Sequence, residues 1–250
     1  CQRMLASVEK MVNEYKDEPY VLMWVLGNEN NYGTVGVVGV DAGTGCNVRK
    51  DVPAYYQFVN RCAKRIKELD PQQRPVAICN GDTLFMDICA QNAPELDIYG
   101  ANAYRGKEGF ATLWKDVMKL YERPVVVTEY GCPAFSKIHN QMEAEEQQAI
   151  YHEGSIKSIQ ENVAGYGVGN ALGGIIFEWT DEWWKAGPPP EYDFNAHDET
   201  AQWEGPFIDG GGYEEWFGLV SIGDGKDCPF KRQLRKAYFA IQELWKKYKM

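Results

Sequence analysis

The sequence predicts an α/β fold in which a parallel sheet carries its helices on the outside. Three observations support this. The segments 24–29 and 124–129 are each a continuous apolar run that ends in a glutamate, rather than an alternating pattern, as expected of strands buried on both faces. Strand-like runs alternate with helix-like stretches along most of the chain. The length of 250 residues, with 44% hydrophobic and 13% aromatic residues, fits one large domain with a substantial core.

Leu5, Val8, Met11, Val12 and Tyr15 recur at helical spacing, so residues 2–16 form an amphipathic helix. The first strand covers 20–26, and a long Gly-rich loop, 27–50, follows it. Asp51 as N-cap and Pro53 in the first turn open a helix that buries Tyr55, Phe58, Val59, Cys62 and Ile66 and ends near Leu69. Strands at 75–79 and 96–100 bracket a short helix at 83–90. A helix at 110–121 turns Leu113, Trp114, Val117 and Met118 inward and leads to strand four at 125–129. A long helix, 142–163, returns to strand five at 174–179. The loop 180–228 then precedes a closing helix at 231–247. The order is α-(βα)5, without a Pro/Ser-rich linker or a fixed repeat, so residues 1–250 read as a single domain.

Two of these strands end abruptly in a glutamate: Trp24-Val-Leu-Gly-Asn-Glu29 and Pro124-Val-Val-Val-Thr-Glu129-Tyr-Gly. A carboxylate at the C-terminal end of a parallel strand lies where α/β barrels gather their catalytic groups. Two such carboxylates on separate strands are the minimum equipment for cleaving a glycosidic bond.

In order and wording these segments resemble the large clan of retaining β-glycosidases with (β/α)8 barrels, and most closely glycoside hydrolase family two. In that clan the acid/base is the Glu of an Asn-Glu pair ending strand four, matched here by Asn28-Glu29, and the nucleophile is a Glu ending strand seven, matched by Glu129. The segment Asp97-Ile-Tyr-Gly-Ala-Asn102-Ala-Tyr104 looks like strand six, whose tyrosine often hydrogen-bonds the nucleophile. Phe177-Glu178-Trp179 looks like strand eight, whose tryptophan floors the sugar subsite. Glu129-Tyr-Gly-Cys132 together with the 97–104 segment is also similar to fungal β-1,3-glucanosyltransferases. The resemblance spans residues 19–184 and implies a TIM-barrel type fold of which only strands four to eight are present. Three further βα units would need roughly 90 residues. The missing strands are therefore expected from an N-terminal part of the natural polypeptide or from another chain.

The resemblance implies a retaining β-glycoside hydrolase, with Glu29 as acid/base, Glu129 as nucleophile, and Tyr104 donating to Glu129. Asn28 is expected to meet the sugar 2-hydroxyl, and Asn102, Tyr104, Trp179, Glu178 and Trp183 to line the substrate site. A transglycosylase using the same carboxylates, or a non-catalytic carbohydrate-binding remnant of the barrel, are the alternatives. Asp181, Glu182, Glu214 and Glu215 are further candidates for contacts with sugar hydroxyls.

The remaining composition excludes other classes. With 26 Lys+Arg against 36 Asp+Glu the net charge is −10, and the acids are scattered, which argues against a nucleic-acid partner. No apolar run reaches membrane-spanning length and no charged-then-apolar leader is seen, so neither a cytoplasmic nor a secreted or periplasmic location is selected. The seven cysteines include no close pair and are expected as reduced thiols, with Cys46 and Cys228 placed in loops that would allow them to pair. His139, His152 and His197 are isolated, and the acidic loop 180–228 reads as solvated rather than as a calcium site, so no metal or other cofactor is expected.

Overall fold

A computed structural model of the chain describes residues 1–33, 48–185, 197–222 and 231–248. Its central feature is one five-stranded sheet in sequential order, β1 (Trp24–Leu26), β2 (Val76–Gly81), β3 (Ile98–Asn102), β4 (Val125–Tyr130) and β5 (Ala171–Ile176). Helices α1 (Gln2–Tyr15), α2 (Val52–Leu69), α3 (Met86–Asn92), α4 (Leu113–Leu120), α5 (Gln141–Gln160) and α6 (Lys236–Tyr248) intervene or flank. The predicted α-(βα)5 order is the observed one. By contact density the chain divides into two compact units, 1–102 with 112–128 and 168–172, and 103–111 with 129–167 and 173–250.

In the first unit β1 pairs parallel with β2, Trp24 opposite Val76, and β2 pairs parallel with β3, Gly81 opposite Asn102. Every residue of β2 and β3 is buried, as expected of central parallel strands. Ala77, Ile98 and Val126 form a core cluster against which Met23 packs. Asp51 caps α2 as predicted, its carboxylate accepting the Ala54 N–H at 3.1 Å. The buried stripe of α2 runs through Val52, Tyr56, Val59, Cys62, Ala63 and Ile66. Tyr55 and Phe58, expected in that stripe, lie beside it and are only partly covered.

The first strand is shorter than predicted. Residues 20–23 lie outside it, and Tyr20 and Leu22 are 71% and 75% exposed. An apolar run extends only where a neighbour supplies ladder hydrogen bonds, and β1 stands at one end of the sheet with β2 as its neighbour. Its entry is fixed by a buried pair: Asp70 binds Arg74 at 3.0 Å and accepts Trp24 Nε1–H at 2.9 Å. The Arg74 guanidinium also donates to the carbonyls of Lys16, Glu18 and Val21. Burial alone would raise the Asp70 carboxyl, but the hydrogen bonds from Trp24, Gln72 and Arg74 bring it below the ordinary range.

In the second unit α5 opens on a full capping box, Asn140 accepting the Glu143 N–H while Glu143 accepts the Asn140 N–H. Two short pairings follow β5, with three of their strands in the expected loop 180–228 and the fourth, at 233–234, taking the first turn of the expected closing helix 231–247. These are β6 (Trp203–Glu204) with β7 (Gly211–Gly212), and β8 (Val220–Ser221) with β9 (Gln233–Leu234), both antiparallel. Strand β5 begins and ends three residues earlier than predicted, because the ladder takes up Ala171 and Leu172 before the apolar run proper. No helix among the described residues is long and apolar enough to cross a membrane. Cys46 and Cys228 lie outside the described residues; Cys1, Cys62, Cys79, Cys89 and Cys132 are free thiols, as expected.

Candidate active site

Around Glu29 the backbone leaves β1 in a tight turn. Gly27 has φ +74°, and a Cβ there would lie 2.4 Å from Asn30 Oδ1, so only glycine fits. Glu29 itself has φ +52°, in the left-handed region that costs a non-glycine residue roughly 1–2 kcal/mol. The turn is held from below. Asn31, fully buried, accepts the Gly81 N–H at 2.7 Å and donates to the Gly81 carbonyl at 2.8 Å, and the Glu29 N–H donates to the Cys79 carbonyl at 3.0 Å.

The side chains meet in one network. Asn102 Nδ2 donates to Glu29 Oε1 and to Asn28 Oδ1, each at 3.1 Å. Asn102 Oδ1 accepts the Thr128 hydroxyl at 2.7 Å. The Cys79 thiol lies 3.1 Å from Asn28 Oδ1, 3.2 Å from Asn102 Oδ1 and 3.3 Å from Thr128 Oγ1. Neither Cys79 nor Thr128 carries a sequence signal beyond its place near a strand end. Asn102, expected from the resemblance as a substrate contact, is 2% exposed.

Glu129 leaves β4 with its carboxylate Oε2 accepting Tyr104 Oη–H at 3.1 Å, the bond that the resemblance implied. Gly131 is required two residues on, since a Cβ there would lie 1.9 Å from the Phe177 carbonyl. The Tyr104 ring is surrounded edge-on by Phe177, Trp203, Phe207 and Phe217, at centroid distances of 6.4, 5.4, 6.4 and 5.8 Å. Trp203 Nε1 donates to Glu214, and Lys185 Nζ stands between Glu182 (3.3 Å) and Glu214 (3.6 Å), 5.4 Å over the Phe177 ring. Burial lowers the Lys185 ammonium, but Glu214 and Glu182 outweigh it and hold the group above its ordinary range.

The other predicted site residues stand elsewhere. Trp179, 61% exposed, meets Tyr238 at 6.0 Å and, with Glu178, lines an apolar cavity together with Ile159, Ile241 and Trp245. Burial, reinforced by Glu182 and Asp181, pushes the Glu178 carboxyl from 4.5 up to about 9, and its Oε1 has no hydrogen-bond partner among the described residues. Trp183 packs edge-on against Trp184 at 5.6 Å. Asp181 is buried and bonds Arg235 at 2.6 and 2.8 Å and His197 at 2.7 Å. Glu215 is buried and accepts the Asp198 N–H at 2.7 Å. Asp181 and Glu215 therefore brace the segment around Trp216 rather than reach for sugar hydroxyls.

A five-stranded sheet in sequential order, with a helix between successive strands and glutamates at the ends of two of them, places the chain in the α/β class. The chain belongs to glycosyl hydrolase family two, whose TIM barrel domain description matches residues 1–165. Among curated relatives, it is 24% identical over 195 residues to a β-glucuronidase of Streptococcus agalactiae serotype V, covering 70% of this chain and 28% of that protein. It is 25% identical over 182 residues to the β-glucuronidase of Rattus norvegicus, covering 67% and 25%. The chain thus spans about a quarter of the length of these relatives. Among solved structures it matches the β-D-glucuronidase of Dictyoglomus thermophilum with a TM-score of 0.59 at 17% identity, over 97% of this chain and 35% of that one. The β-glycosidase of Thermosphaera aggregans matches with a TM-score of 0.57 at 14% identity, over 98% and 60%.

Proposed function

We propose that the chain supplies both catalytic carboxylates of a retaining β-glycoside hydrolase, Glu29 as acid/base and Glu129 as nucleophile. The observation that carries this reading is the 3.1 Å hydrogen bond from Tyr104 to Glu129 at the end of β4. A phenolic O–H donated to a carboxylate favours the ionised form, which is the form that attacks. Family membership and the β-glucuronidase relatives support the reaction class.

In the first step a Glu129 oxygen bonds to the anomeric carbon as the glycosidic C–O bond breaks. Its electron pair stays on the leaving oxygen, which takes the Glu29 proton. In the second step Glu29 carboxylate takes a proton from water, the water oxygen bonds to the anomeric carbon, and the ester to Glu129 breaks. Such chemistry uses two carboxyls about 5–5.5 Å apart. Asn28 would donate to the 2-hydroxyl, where the bond strengthens as charge develops at the ring. Phe177 and Trp203, beside Tyr104, supply apolar faces for a sugar ring. Trp179, which is exposed, and Trp183 are further proposed contacts for a sugar ring.

The test uses the intact natural polypeptide with aryl β-D-glucuronides, and β-glucosides and β-galactosides beside them. A fluoro-sugar that traps the glycosyl-enzyme should label the peptide containing Glu129. Glu129→Ala should abolish turnover, and azide should restore it with inverted product. Undiminished turnover in that variant would overturn the assignment.

A further inference from the structure

We infer that Asn102 is a positioning residue that decides which oxygen of Glu29 carries the transferable proton, and that Thr128 and Cys79 fix the Asn102 amide for this task. The inference rests on the acid/base role proposed for Glu29. It starts from the orientation of one amide. Asn102 faces Asn28 Oδ1 and Glu29 Oε1 on one side and the Thr128 hydroxyl and Cys79 thiol on the other. The Glu29 and Asn28 oxygens on the first side can only accept and so take the NH2 group, which turns the carbonyl oxygen to the second side, where the Thr128 hydroxyl donates to it. Rotating the amide by half a turn would set its oxygen against two other oxygens. The side chain is buried, so water cannot relieve that clash.

The consequence for Glu29 follows from donor geometry. Asn102 Nδ2–H occupies Oε1 whether Glu29 is neutral or ionised, so Oε1 is the carbonyl oxygen of the acid form. The acidic proton then resides on Oε2. In the first step that proton passes from Oε2 to the leaving oxygen, and in the second Oε2 receives one from water. Without the Asn102 donor the proton distributes over both oxygens, and the ionised form loses a hydrogen bond. Protonation assistance falls and the pKa of the acid/base rises.

The experiment compares two leaving groups in the intact natural polypeptide, on the sugar for which turnover is found. A dinitrophenyl β-glycoside departs without a proton, whereas an alkyl β-glycoside needs one. Asn102→Ala should lower kcat/KM for the alkyl glycoside by about tenfold to a hundredfold, a part of the roughly 10²- to 10⁴-fold that a general acid contributes. The dinitrophenyl glycoside should change by less than about threefold, and the alkaline limb of the pH profile should move upward. Thr128→Val should give the same pattern more weakly, and Thr128→Ser, which keeps the hydroxyl, should restore it. Equal losses on both glycosides with an unmoved pH limb would overturn the inference. Should Asn102→Ala not fold, as judged by its thermal transition, Thr128→Val against Thr128→Ser decides on the same criteria. Glu29→Ala is the control for the underlying reading: it should show a larger leaving-group-dependent loss and azide rescue. If it shows neither, the acid/base assignment itself fails, separately from the role of Asn102.

Discussion

Glu178 shows how a single side chain can work against the fold it sits in. Its carboxyl is held at about 9 mainly by burial, so it stays protonated where an unfolded glutamate, at 4.5, is ionised. Stability from this group is complete below about pH 4.5 and is lost as pH rises through about 9. Glu178→Gln keeps the shape and removes the titration. The variant is expected to melt several degrees above the parent at pH 8 and level with it near pH 4, measured by thermal scans across that range. At this scale the sequence was partly legible. Glu29 and Glu129 stood out as strand-ending carboxylates, and Tyr104 through the family resemblance of the 97–104 segment. Asn31, Cys79 and Thr128 did not, because their role depends on neighbours far away in sequence: Asn31 and Gly81 are fifty residues apart.

At the scale of elements, α5 illustrates what periodicity misses. The capping box at Asn140 and Glu143 is a local sequence pattern that places the helix start at Gln141, one residue earlier than its apolar content suggests. Its buried face is mixed, carrying Gln148, His152 and Ser155 beside Tyr151 and Ile156. Neither ring nitrogen of His152 has a hydrogen-bond partner among the described residues, and burial lowers the imidazole from 6.5 to about 3. The folded chain therefore refuses a proton that the unfolded chain accepts. Stability is full above about pH 6.5 and declines as pH falls toward 3, by about 2 kcal/mol at pH 5. His152→Leu should remove that part of the acid sensitivity, so urea midpoints of parent and variant should diverge between pH 7 and pH 5. Parallel divergence at every pH would instead indicate a packing effect. The strand errors have a different origin: β1 and β5 are the end strands, and an end strand's extent depends on neighbours that an isolated apolar run does not reveal.

For the whole molecule, the order of elements was legible because each βα step has its own periodicity, and the five-stranded count was correct. The small antiparallel pairs within 197–234 were not, since two-residue strands have no period to detect. The two ends of the sheet share a property. Val25 on β1 is 44% exposed, and Leu172 and Ile175 on β5 are 54% and 59% exposed. Uncovered apolar end strands invite pairing with other chains. Residues 1–250 produced alone should therefore self-associate at micromolar concentration despite a charge of −10, and Val25→Lys with Ile175→Lys should shift light-scattering mass toward the monomer. Unchanged mass in the double variant would locate the association elsewhere. Finally, the free thiols can serve as timers of breathing. Cys62, Cys79, Cys89 and Cys132 are buried on α2, β2, α3 and the stretch after β4, while Cys1 is exposed. Burial raises Cys62, Cys89 and Cys132 away from the reactive thiolate, Cys89 to about 12. Under pulsed alkylation Cys1 should react at once, and each of the others only when its own segment opens. Mass mapping of the four delayed labels would rank those segments by opening frequency, without adding any probe to the chain.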